Sequence, residues 1–127
     1  MKPVAKSQDH IVAVDVHMVV PEGGGKPEPM PLPFDGLLVE NLSPDVVVEQ
    51  RAIALVGSIG RQIPGHIVTP KSFAKPPTNE ARVLVGSSTV LANNRPIARA
   101  NDAASTCNDP ADLPASTIIA SSTVLSG

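Results

Sequence analysis

The chain has 127 residues and a formal net charge of −2, with no basic stripe, which excludes the electrostatic footprint of a nucleic-acid-binding protein. Phe34 and Phe73 are its only aromatic residues, whereas it carries fourteen prolines and nine glycines. A single domain of this length without large aromatic side chains buries too little apolar area to rest on packing alone, so a further staple is expected.

In chain order, short β-branched or apolar runs occupy residues 11–14, 46–48, 83–85, 118–119 and 124–125, with turn signals between them. They are too apolar and too regularly spaced for a disordered tail. No segment sustains a helical period with caps at both ends, so the sequence predicts an all-β domain over 1–127. The proline-rich stretches 21–33 and 69–79 read as extended, solvent-facing loops. No long apolar run and no apolar segment after Met1 is present, so neither a spanning helix nor a secretory leader is expected.

An internal repeat is the most informative feature. Residues 87–102 (SSTVLANNRPIARAND) align with 43–58 (SPDVVVEQRAIALVGS) at an offset of 44, so that Ser43 meets Ser87, Arg51 meets Arg95 and Ala54 meets Ala98. A third copy is cut in two: SSTVLSG closes the chain at 121–127, and PVAKSQD at 3–9 matches PIARAND at 96–102. Asn93-Asn94 accepts positive φ, so each full unit reads as a β-hairpin with a tight turn. In the third unit the two termini fall where that turn belongs. The reading predicts three hairpin units about a pseudo-threefold axis, with the first and last residues adjacent.

A soft or borderline metal ligand follows each unit. His17 lies eight residues past Asp9, His66 eight past Ser58, and Cys107 five past Asp102. Rotationally related positions converge, so these three point to one shared ion. Imidazole and thiolate together in a closed, four-ligand set suit Zn2+. His10 completes a His3Cys set, although Ile59 and Ala103 hold the equivalent places after the other units. Asp15 is a second candidate for that fourth place. Taken singly, a lone cysteine is an inert small hydrophobe and a lone histidine a surface hydrogen-bonder; the repeat register sets these apart.

Other motifs carry less. Gly23-Gly24-Gly25 lacks the strand–helix context and Lys-Ser/Thr pair of a phosphate loop, and no nucleophile elbow is present. Asp9, Asp45 and Asp102 sit at turns, where Asp bonds local backbone, and Lys6 and Arg99 are placed to pair with nearby carboxylates.

The motif Pro96-Ile97-Ala98-Arg99, the surrounding GSSTVLANNRPIARAND, the segment TCNDPADLP, the terminal SSTVLSG, IVAVDVH near the start and KPPTN at 75–79 resemble the PAAR-repeat family. The likeness spans nearly the whole chain. It implies a small cone with a threefold base, closed near its point by one structural zinc ion, docked as a monomer on the blunt end of a trimeric β-helical spike of the VgrG or phage-spike type. It further implies a membrane-piercing tip of a contractile injection machine (type VI secretion, phage tail or extracellular particle), assembled in the bacterial cytoplasm and delivered outward. No enzymatic activity is implied, and no fused toxin extension is expected. The first two units depart from the signature, reading PVAK and AIAL, and the loop near Pro33-Phe34 lacks the histidine many relatives carry. Two other classes compete with this reading: a zinc hydrolase, which needs an open coordination position, and a generic β binding adaptor.

Overall fold

A computed structural model describes all residues, 1–127, and contains strands and no helix. The strands are β1 (Lys2–Pro3), β2 (His10–Val20), β3 (Glu28–Glu40), β4 (Val47–Val48), β5 (Arg51–Ala52), β6 (Ile59–Arg61) and β7 (Ser72–Phe73). They continue with β8 (Glu80–Val83), β9 (Leu91–Ala92), β10 (Arg95–Pro96), β11 (Ala103–Thr106), β12 (Leu113–Ile119) and β13 (Leu125–Ser126). Six of them close into a small antiparallel barrel in the order β12-β11-β8-β6-β3-β2, with β12 returning to β2, while β7 adds to β2 outside the ring. Closure leaves these strands few bare edges.

The remaining strands form three two-stranded pairs in matching register. Pro3 faces Leu125, Ala52 faces Val47, and Pro96 faces Leu91. Two of the pairs are joined by tight turns, at Glu49-Gln50 and Asn93-Asn94, and all four residues have positive φ, as a two-residue hairpin turn demands. The third pair is made by the two chain ends, which lie side by side as the split copy predicts.

Backbone bonds link the three pairs in a cycle. Ala5 N–H donates to the Ala98 carbonyl, Ala98 to Ala54, and Ala54 to Ala5, at 2.9, 3.0 and 2.9 Å. A second cycle surrounds the first: Ser7 donates to Ala52, Val56 to Pro96, and Ala100 to Pro3. All three alanines are fully buried, because three backbones this close leave room for a methyl group and little more. Beyond the alanines the chain turns through Gln8, Gly57 and Asn101, each at positive φ, and each donates its N–H to a barrel strand, at Leu38, Val83 and Ile118 respectively.

The core has two parts, on either side of the alanine ring. The barrel interior packs Ile11, Phe34, Leu38, Val83, Ala104 and Ile118 on the alanines. Val4, Ile53, Leu55 and Ile97 form a smaller cluster with Val48 and Ala92 of the hairpins. The turns bear the expected aspartates: Asp9 accepts from Lys6 N–H at 2.9 Å, and Asp102 from Arg99 N–H at 2.8 Å. Lys6 and Arg99 pair with those same carboxylates through their side chains, and Leu55 with Ser58 stands in their place in the middle unit.

One expectation is corrected. Residues 28–33 are not loop but the first half of β3, paired with residues 14–19 of β2. Pro29, Pro31 and Pro33 alternate along a stretch that has β2 on one side and no strand on the other. Asp35, in the same alternation, turns its N–H away from β2 to Gln62, so the prolines fall where an N–H would face the open edge. Proline is tolerated there, and it keeps that edge from pairing.

Packing at the alanine ring is testable. Ala54→Leu is expected to cost about 1–3 kcal/mol in urea unfolding through overpacking, whereas Val47→Thr on the exposed hairpin face should stay within about 0.5 kcal/mol. Equal effects would mean that the ring tolerates bulk.

Candidate metal centre

Strand alternation builds the first part of the site. In β2 the odd-numbered residues face inward, with Ile11, Asp15, His17 and Val19 buried. Asp15 and His17 therefore share a face two residues apart. The loop after β6 brings His66, and the turn after β11 brings Cys107. Asp15, His17, His66 and Cys107 converge, each offering a ligand atom within 4.8 Å of every other.

Asp15 is the hub. Its Oδ2 lies 3.0 Å from His66 Nε2, 3.4 Å from Cys107 Sγ and 3.9 Å from His17 Nε2. Bonds of about 2.0–2.3 Å from one tetrahedral ion place its donors roughly 3.3–3.8 Å apart, so these separations fit one small ion. The side chains of Asp15, His17 and His66 are 0%, 2% and 2% exposed, and Cys107 is 2% exposed. Asp15 Oδ1 and His17 Nε2 are buried without any hydrogen-bond partner. A buried carboxylate with no cationic side chain against it is costly, and a cation held among these donors would offset that cost. With a divalent ion, one carboxylate, one thiolate and two neutral imidazoles sum to zero charge.

The electrostatics agree. Burial first, and the nearby Asp15 charge second, push the Cys107 thiol up to about 11. Burial lowers the pKa of His17, as does the neighbouring His66, against a smaller opposing pull from Asp15. At neutral pH the centre thus presents a protonated thiol beside a neutral His17.

Supporting residues fix the ligands. His66 N–H donates to Asn79 Oδ1 at 2.8 Å, and Gln62 Nε2 lies 3.2 Å from His66 Nδ1. Asn79 approaches so closely that a Cβ on Gly65 would sit 2.5 Å from its Nδ2. Asn108 Oδ1 accepts from Val16 N–H at 2.7 Å, between the two β2 ligands, and so anchors the turn that carries Cys107. Phe73 of β7 packs edge-on against His17, with ring centroids 5.6 Å apart, and Phe34 similarly flanks His66 at 6.1 Å. The second proline-rich stretch thus covers His17 instead of remaining free in solvent.

Of the ligands expected from sequence, His17, His66 and Cys107 come together and His10 does not. His10 heads β2 on the opposite alternation to His17, roughly 23 Å back at about 3.3 Å per residue. Its Nδ1 pairs with Asp35 Oδ1 at 2.6 Å on the surface. Asp15 takes the fourth place. Asn79, Asn108 and Gln62 were not legible as site residues, since their partners lie between 4 and 92 positions away. No family model, curated protein or solved structure matches the chain.

Two outcomes follow from this geometry. Ligation needs the thiolate, so zinc binding at pH 7.5 should release about one proton per ion, and affinity should fall as pH falls; calorimetry in buffers of differing ionisation enthalpy reads this. Gly65→Ala should weaken binding by about tenfold through displacement of Asn79 from His66; unchanged affinity in a chelator competition would show that Asn79 has no role.

Proposed function

We propose that the chain is the structural tip of a spike in a contractile injection machine. In this reading the three hairpin units form a pseudo-threefold base, and the barrel narrows from it to a point stapled by one Zn2+ on Asp15, His17, His66 and Cys107. The carrying observation is the face that the hairpins turn outward. Val47, Leu91 and Leu125 hold equivalent register positions and are 62%, 61% and 49% exposed. Val46, Val90 and Val124 beside them are also exposed. Three like apolar patches around one axis suit a partner with three like subunits, and they lie at the end of the barrel away from the metal ligands.

Zinc is the ion we assign, because two imidazoles, a cysteine sulfur and a carboxylate brought within reach of one small ion are a zinc donor set. Four protein donors fill such a shell and leave no position for a reacting water, which supports a structural ion and a tip without catalytic activity. Binding free energy for structural zinc is on the order of 10 kcal/mol, comparable to the whole stability of a small domain. An end too narrow for a large apolar core can be held together by that one term. A trimeric β-helical spike of the VgrG or phage-spike type is the partner this base fits, with the target membrane met transiently by the opposite end.

Elemental analysis is expected to give one zinc per chain, lost in Cys107→Ser along with a large fall in Tm. Leu91→Asp should keep zinc and fold yet abolish co-elution with a trimeric β-helical spike protein of the VgrG type. A variant that still co-elutes would place the docking surface elsewhere, and zinc-free protein with an unchanged Tm would remove the staple.

A further inference from the structure

Gln62 stands behind His66 in a position that fixes which ring nitrogen carries the proton. Its Oε1 accepts the Asp35 N–H at 2.8 Å, and its Nε2 faces His66 Nδ1 at 3.2 Å. A backbone N–H is only a donor, so it determines which end of the amide is the oxygen. The amide nitrogen is then the end that meets His66, and it too is only a donor. His66 Nδ1 must therefore accept, which leaves the ring proton on Nε2, where it donates to Asp15 Oδ2 3.0 Å away. Both contacts of the ring call for the same tautomer.

That tautomer cannot ligate through Nε2, the atom aimed at the cluster. Metal-binding histidines ordinarily donate their second N–H outward to a carboxylate or carbonyl, the reverse of what Gln62 enforces. We infer that Gln62 is a positioning residue that holds His66 in the non-ligating tautomer and so restrains metal uptake until its amide turns over. On binding, the Nε2 proton is lost to solvent and Nδ1 gains one, so the ring stays neutral. Gln62 then rotates to offer Oε1 to Nδ1–H, and Asp35 N–H exchanges its protein partner for water. Asp35 is exposed, so that exchange is inexpensive. The inference rests on the metal centre proposed above.

A carboxylate in place of the amide removes the conflict, because both of its oxygens accept. Gln62→Glu is expected to bind zinc about tenfold more tightly in competition with a chelator, the scale on which such outer partners act. Two readings on the wild-type chain separate this from a simple charge effect. Long-range 1H–15N spectra of the metal-free protein should show His66 protonated at Nε2. Amide exchange at Asp35 should quicken when zinc binds, and should stay slow with and without zinc in Gln62→Glu. A metal-free His66 protonated at Nδ1, or Asp35 exchange indifferent to zinc in the wild type, would overturn the inference. Failure of the wild type to bind zinc at all would sink the metal centre instead, while the metal-free tautomer would still decide the role of Gln62.

Discussion

Three peptide groups, those of Ala5, Ala54 and Ala98, bond to one another in a closed ring, and most of the architecture is a consequence of closing it. Each alanine must donate to one neighbour and accept from the other, so the three segments enter with the same turn and leave with the same turn. The space enclosed admits a methyl group, which is why alanine recurs at this place while the residue before it varies between Val and Ile. Each segment then needs a sharp change of direction, supplied by the positive φ of Gln8, Gly57 and Asn101. After that change the chain has only one course open, up the barrel wall. Six strands arranged as three antiparallel pairs, β2 with β3, β6 with β8 and β11 with β12, close on themselves without a helix or a large core.

The units are alike in backbone and unlike in chemistry, and the differences are coupled. Lys6 stands with Asp9 and Arg99 with Asp102, but Leu55 stands with Ser58. Losing the cation in the middle unit removes the need for the anion, and the serine hydroxyl keeps the one bond that matters, the cap on the preceding backbone N–H at 2.9 Å. The same uneven division recurs at the far end of the barrel. The first segment supplies two ligands, Asp15 and His17, from one regular strand, whereas the others supply one each from loops. Regular alternation delivers the paired ligands without special support. The loop ligands each need an asparagine, Asn79 for His66 and Asn108 for Cys107, to hold them.

The repeat, the all-β class, the hairpin turns and the adjacency of the termini were legible in the sequence because each rests on residues close in the chain or on self-similarity. Three of the four residues that could hold an ion were legible for the same reason, through their similar distance from the repeat. The fourth was not, because the deciding fact is a parity: Asp15 lies two residues from His17 and shares its face, whereas His10 lies seven away and does not. Spacing from the repeat could not reveal that; counting the strand's alternation from His17 could. The proline-rich start of β3 misled for a physical reason as well. Proline argues against a strand only where its missing N–H is needed, and along residues 28–33 every proline falls where no partner strand lies.

The choice between a staple and a reactive centre turns on what surrounds Asp15. A metal poised for hydrolysis keeps a water, a route for substrate and a base beside them. Here the carboxylate that would be the natural base is fully buried, contacts His66 and Cys107, and sits among the donors themselves. If it ligates, it is spent as a donor; without an ion, its Oδ2 has the His66 ring and the Cys107 thiol as partners while its Oδ1 has none. An ion held by all four donors would give both oxygens' charge a partner and would leave no place for a reacting water. The burial that makes the cluster a good anchor for an ion is therefore the observation that supports our proposal of a structural ion over a reactive one.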